Sequence, residues 1–223
     1  MTAHISRTTK IKEERGKGTL ANYRPWIKAR EINSIGTAHN IIDWKHGRTI
    51  ELLSDGEAWL YYILRWDDDV IDIREQYPLD LEETNSIADQ ANLMRVNNGE
   101  DNMTTDLLVT MRDGSYKAYS LKASKSELDI PRNIEKLWIE KCYWNEMGVP
   151  WKQIFKEDLD RNYADNIRLC VQYYDKAKVQ AGDEISMLKH LIATKQINVE
   201  MKGKILDFQR LAEQYRKEIG HKW

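Results

Sequence analysis

The stretch Thr105-Asp-Leu-Leu-Val-Thr-Met-Arg-Asp-Gly-Ser-Tyr-Lys-Ala-Tyr-Ser-Leu-Lys122 decides the fold. Asp106 to Met111 is largely apolar, Arg112 to Ser115 contains an Asp-Gly pair, and Tyr116 to Ala123 is a second run. That order is the signature of a β-hairpin. Pairing brings the second strand alongside Asp106. Ser120 and Lys122, two residues apart, point to one face of it. A carboxylate beside a buried strand needs a partner or a metal. Alone, Asp106 reads as a strand-end turn cap and Lys122 as an exposed strand lysine.

A third group lies upstream in Ser54-Asp-Gly-Glu57, which opens a predicted helix from Ser54 to Leu64. Ser54-x-x-Glu57 matches a capping box, so Glu57 has a purely structural reading. Yet Glu57, Leu60, Tyr61 and Leu64 share one helical face, which sets the carboxylate at the edge of the core-facing stripe. Glu57, Asp106 and Lys122 together read as two acids and a lysine converging from a helix and two paired strands. Oxygen ligands of this kind suit Mg²⁺, with Mn²⁺ as a substitute. A bound metal activates water and stabilises the leaving oxygen in phosphodiester hydrolysis. The lysine would orient the nucleophile or offset phosphate charge.

Working outward, short strands are predicted at Asn40–Trp44 and Arg48–Leu52, with turns around Gly36 and Gly47. Val70–Glu75 reads as a strand ending before Pro78, and Ile87–Met94 as a short helix. Pro131 starts a helix that runs to about Met147, where Gly148 and Pro150 stop it. Trp151–Phe155 is a further strand. The order is α+β, a mixed sheet flanked by helices. After Asp158 the pattern turns mainly helical, with helices at Arg161–Val179, Asp183–Thr194 and Lys202–Ile219 and a short strand at Ile197–Met201. The expected organisation is a flexible basic arm over 1–22, a catalytic domain over 23–158, and a small helical interaction domain over 159–223. Tyr173 and Tyr174 are its exposed-looking aromatics.

The net charge of −2 hides an asymmetry. Residues 1–50 hold ten Lys/Arg against four acids, giving +6, and residues 51–110 hold three against fifteen, giving −12. A basic arm can neutralise phosphates, and Trp26 and Trp44 near it are candidates to stack on DNA. An acidic middle repels DNA unless its carboxylates hold cations or face protein. No apolar run approaches the ~20 residues of a membrane span, and the first residues do not read as a secretory signal. Cys142 and Cys170 are expected to be reduced thiols of a cytoplasmic protein. His39 and His46 flank a turn and do not form a zinc site.

Asp106 with Ser120 and Lys122 on the paired strand resembles the PD-(D/E)xK nuclease core, with Ser120 where its middle acid would stand. A longer likeness runs from about Arg15 to Lys156. It includes Arg15-Gly-Lys-Gly18, Tyr23-Arg-Pro-Trp26, Leu52-Leu-Ser-Asp-Gly-Glu57, Ile71-Asp-Ile-Arg-Glu-Gln-Tyr-Pro-Leu79 and Thr105-Asp-Leu-Leu-Val109. It continues through Leu121-Lys122, Glu135-Lys-Leu137 and Tyr143-Trp144 to Val149-Pro-Trp151. These segments resemble the TnsA-like endonuclease subunits of heteromeric cut-and-paste transposases. The resemblance implies a restriction-endonuclease-like domain whose two acids and lysine fall on Glu57, Asp106 and Lys122. A family glutamine falls on Ser120, so the backbone carbonyl of Leu121 is the expected further metal ligand. Glu140 reads by spacing as a solvated helix charge beside Lys136 and Lys141. The resemblance makes it an auxiliary active-site residue.

The same resemblance implies a Mg²⁺-dependent enzyme that cuts the 5′ strands at transposon ends. A TnsB-like DDE transposase would cut and join the 3′ strands, and a TnsC-like ATPase regulator would couple the pair to a target. It would work in the cytoplasm, on the nucleoid when assembled on DNA, without a membrane. Two other readings stay open: a stand-alone PD-(D/E)xK nuclease, and a non-catalytic adaptor between transposase and regulator.

Overall fold

The computed structural model describes residues 5–31 and 37–222. Two units make up the chain, Met1–Leu159 and Asp160–Trp223. In the first, chain order runs α1 (Arg7–Lys12), β1 (His39–Ile42), β2 (Thr49–Leu52), α2 (Asp55–Arg65), β3 (Val70–Pro78) and α3 (Leu81–Gln90). Then come β4 (Thr104–Met111), β5 (Tyr116–Lys122), α4 (Pro131–Glu146) and β6 (Trp151–Phe155). The turn expected around Gly36 lies outside the described residues.

The hairpin forms as its sequence dictates. β4 and β5 pair antiparallel, Leu107 opposite Tyr119 and Thr110 opposite Tyr116. β3 adds antiparallel to β4, and β6 adds parallel to β5, giving a mixed sheet in the order β3-β4-β5-β6. The parallel pair exists because α4 carries the chain back over the sheet. On that face Leu108 and Ala118 pack with Ile87 and Ala88 of α3 and with Ile139, Tyr143 and Trp144 of α4.

β3 extends past its predicted end. Pro78 pairs with Thr104 as the last residue of the strand, a terminal position where a missing N–H is tolerated. The strand reaches it through Gln76, which adopts a left-handed φ of 46°. α3 starts at Leu81, earlier than predicted, because Asp80 caps it by accepting from the amides of Glu82 and Glu83. β1 and β2 form a separate two-stranded hairpin. Its turn is tied to α2 by Asp43, which accepts from Arg65 Nε at 2.7 Å and Tyr61 Oη at 2.7 Å. Arg65 is fully buried and also donates to Val70 O at 2.8 Å.

The N-terminal segment differs from the expected free arm. Ser6 caps the short helix α1, and Lys10 and Arg15 are buried in ion pairs with Asp101 and Glu31. Those two charges are spent inside the protein and are not offered to phosphates. Gly16, with φ 76°, sits where a Cβ would come within 2.2 Å of Pro78 Cγ, so only glycine fits. Trp26 is buried, and its indole donates to Asp101 at 3.2 Å, which removes it as a DNA-stacking residue. Trp44 stacks on Tyr62 with ring centroids 6.0 Å apart.

The second unit contains α5 (Arg161–Val171), α6 (Glu184–Ala193), α7 (Phe208–Gln214) and α8 (Arg216–Gly220). Ile167, Met187, Leu188 and Leu191 form its interior. α5 is shorter than predicted, and the last predicted helix breaks at Tyr215 into α7 and α8. No strand forms at 197–201. Its strand-like residues find no partner strand, and buried Asn166 instead donates to Met201 O at 2.7 Å and Lys204 O at 2.8 Å. Tyr173 and Tyr174 are half-buried rather than exposed, and Lys189 lies 5.4 Å from the Tyr173 ring centre. Both cysteines are free. Among the described residues no helix is long and apolar enough to cross a membrane.

Candidate active site

Glu57 is set by its own helix cap. Ser54 Oγ accepts from Glu57 N at 3.2 Å and donates to Glu57 Oε1 at 3.1 Å, while Leu53 N donates to Oε2 at 3.0 Å. The structural and functional readings of Glu57 therefore coincide: the cap fixes where the carboxylate points. Gly56 lets this helix end approach β5 closely, since a Cβ there would lie 2.8 Å from Leu121 Cδ2.

Asp106 enters from β4 and accepts from Leu121 N at 2.6 Å. Gln76 joins the two acids. Its Nε2 lies 3.3 Å from Glu57 Oε2 and 3.4 Å from Asp106 Oδ1. Lys122, a quarter exposed, lies 3.9 Å from Glu127 Oε2, and its charge also acts on Asp106. Glu127 enters from a 3₁₀ turn at Lys125–Asp129 and accepts from Ala123 N at 2.7 Å.

Glu140 overturns its reading as a solvated charge: it is 2 % exposed. Its Oε1 accepts from Thr105 Oγ1 at 2.8 Å, and Trp144 Nε1 donates to the same hydroxyl at 2.6 Å. Burial and then the Asp106 charge push Glu140 up to about 7, with Thr105, Trp151 and Ser120 opposing. Trp151 Nε1 makes no hydrogen bond of ordinary geometry, so Thr105 is the donor that counts. Ser120 is buried.

The sequence reading missed Gln76, Thr105 and Glu127. Gln76 stands opposite Asp106, between the pairs Glu75–Leu107 and Tyr77–Thr105. That register follows once β3 is extended to Pro78. Nothing local marks Glu127.

The site's electrostatics favour a cation. Burial and the Asp106 charge push Glu57 up to about 8, and burial pushes Asp106 up against the opposing Leu121 N–H and Lys122. The donor set is all oxygen, which fits a hard ion that keeps several waters. Among the described residues no cluster of three or more His, Cys, Asp or Glu could hold a metal. His39 bonds Asp55 and His46 bonds Ile71 O, each at 2.7 Å.

A pH dependence follows. Glu57 and Glu140 ordinarily titrate near 4.5. Their folded values are raised, so between about pH 5 and pH 8 the folded chain holds protons that the unfolded chain has released. Stability therefore falls as pH rises through that window. In EDTA the melting temperature is expected to drop from pH 5 to pH 8. Mg²⁺ should restore more of it at pH 8, because binding requires ionised carboxylates. Glu57→Gln should flatten the slope. A melting temperature in EDTA that is level or rising over this range would contradict the buried acid pair.

Residues 67–156 match the family described as "TnsA-like endonuclease N terminal", a span that holds Asp106, Lys122 and Glu140. The chain is also 33 % identical over 190 residues to the Escherichia coli "Transposon Tn7 transposition protein TnsA". That alignment covers 83 % of this chain and 70 % of the relative. The chain belongs to the TnsA-like endonucleases of Tn7-type transposition.

Proposed function

We propose that this subunit hydrolyses the 5′ strands at transposon ends, using Mg²⁺ held by Glu57, Asp106 and the carbonyl of Leu121. The observation that carries the reading is the meeting of Glu57 and Asp106 at one amide, beside Lys122. When bound, Mg²⁺ supplies Lewis-acid charge at the phosphate and lowers the pKa of water. Lys122 balances charge at Asp106 and orients the phosphate or the attacking water. Glu140, at about 7, can hold or release a proton near neutral pH, as a general acid–base group must. The Leu121 N–H and the Ser54 cap fix the two acids before substrate arrives, which lowers the reorganisation needed in the transition state.

We assign the 3′ strands to a TnsB-like DDE transposase and the choice of target to a TnsC-like ATPase regulator. A strand-resolved cleavage assay on transposon-end DNA, with and without that transposase, tests the proposal. Mg²⁺-dependent 5′ cutting is the expected result. Partner binding with no cutting under any metal would make the chain an adaptor, and cutting without end specificity would make it a stand-alone nuclease.

Ser120 offers a finer check. Its neutral hydroxyl is a poorer Mg²⁺ ligand than a carboxylate. Ser120→Ala is expected to slow cleavage far less than Glu57→Gln. Equal losses in two well-folded variants would show that Ser120 binds the metal.

A further inference from the structure

Gln76 holds an unusual position for an ordinary strand glutamine. It is 2 % exposed, and its backbone lies in the left-handed region that L-residues with long side chains rarely enter. Such strain persists where surrounding structure enforces it, and it clusters at functional sites. Here Trp26 N donates to Gln76 O at 3.2 Å. The strained backbone directs the side chain between the two acids, where its amide donates to both. On its other side, Gln76 Oε1 accepts from Thr104 Oγ1 at 3.1 Å.

That last contact allows two orientations. A threonine hydroxyl both donates and accepts. If the Gln76 carboxamide turns over, Thr104 can accept from Nε2, and Oε1 then faces Glu57 and Asp106. No hydrogen-bonding group at the Thr104 end is stranded. With no cation between them, two carboxylates are best met by an N–H₂ group, as they are here. With a hard cation there, they are best met by an oxygen.

We propose that Gln76 is the third side chain of the cation site, a neutral oxygen donor that also positions the acid pair. The inference rests on the metal-dependent nuclease reading. It gives the two carboxylates a further oxygen donor where Ser120 offers only a poor ligand.

The test is calorimetric titration of Mn²⁺ into the full chain, with folding followed by circular dichroism. Gln76→Asn keeps an amide and tolerates the left-handed backbone, but it is one methylene too short to span both acids. It is expected to weaken Mn²⁺ binding about tenfold or more. Gln76→Glu keeps the reach and the oxygen, and should bind at least as tightly as wild type. An Asn variant with wild-type affinity overturns the proposal, as does a Glu variant as weak as the Asn variant. If the wild-type chain itself binds no Mn²⁺, the metal-dependent reading falls and takes this one with it. If wild type binds and Gln76→Asn matches it, only the role of Gln76 falls.

Discussion

Asp106→Asn is expected to reduce 5′-strand cleavage by a factor of about 10² or more while leaving the fold intact. The asparagine side chain has the same shape, and its carbonyl oxygen can still accept from Leu121 N, which Asp106 does at 2.6 Å. What disappears is the negative charge that balances Lys122 and any cation. Asn also relieves a desolvation cost, since burial pushes Asp106 up, so the variant should be no less stable than wild type without metal. Lys122→Ala should lose activity comparably, because charge is removed where phosphate charge develops. In a reconstituted mixture with the partner transposase, 3′ joining should continue, and products should shift from simple insertions toward cointegrates. Strand-specific end-labelling reads both outcomes. Wild-type 5′ cutting by either variant would end the assignment of these residues.

The second large effect concerns stability. Arg65→Met should cost about 3–5 kcal/mol, because it strands a buried charge. Arg65 and Asp43 are both buried, and the guanidinium reaches Asp43 through Nε at 2.7 Å and Nη2 at 3.2 Å. Asp43 titrates below its ordinary range: burial raises it, but Arg65, Tyr61 and the His46 amide together outweigh burial. Its depressed value contributes stability that is present at neutral pH and lost as pH falls through the folded pKa. Without Arg65 that contribution goes, so the deficit should be largest near neutrality and shrink on acidification. Adding Asp43→Asn to Arg65→Met should recover part of the loss, since Asn can still accept from the Lys45 and His46 amides that meet Asp43 at 2.8 and 2.7 Å. Urea unfolding of the wild type and both variants measures the differences. A deficit under about 1 kcal/mol for Arg65→Met would show that water already reaches the pair.

The elements legible in the sequence are those specified by adjacent residues. The Asp-Gly turn produced the β4–β5 hairpin, Ser54 and Glu57 produced the start of α2, and Pro131 and Gly148 bounded α4. The elements misread depend on residues distant in sequence. The segment 197–201 has strand-like residues, but pairing is decided by a neighbour, and the neighbour is the side chain of Asn166. α1 and the buried Arg15 need Asp101 and Glu31 to make sense of their charges.

The candidate site divides in the same way. Spacing alone put Asp106 and Lys122 on one hairpin, and the family likeness added weight to Glu57 and Glu140. A signal for Glu140 was present: Leu137, Glu140 and Trp144 fall three and four residues apart, on the buried face of α4. Gln76 had no such signal, because its meaning comes from a left-handed turn inside a strand, and no composition rule marks that conformation on a glutamine.

The lacing of the N-terminal segment along β3 has a practical consequence. Leu20 N bonds Asp72, Tyr23 Oη bonds Glu75 O, Trp26 N bonds Gln76 O, and Gly16 sits against Pro78. Residues 16–26 thus form an outer brace for the strand that holds Gln76 between the acids. A truncated version that discards them as a dispensable leader would be a different protein at its reactive centre. Fusions at this end should leave the chain from Ser6 onward untouched.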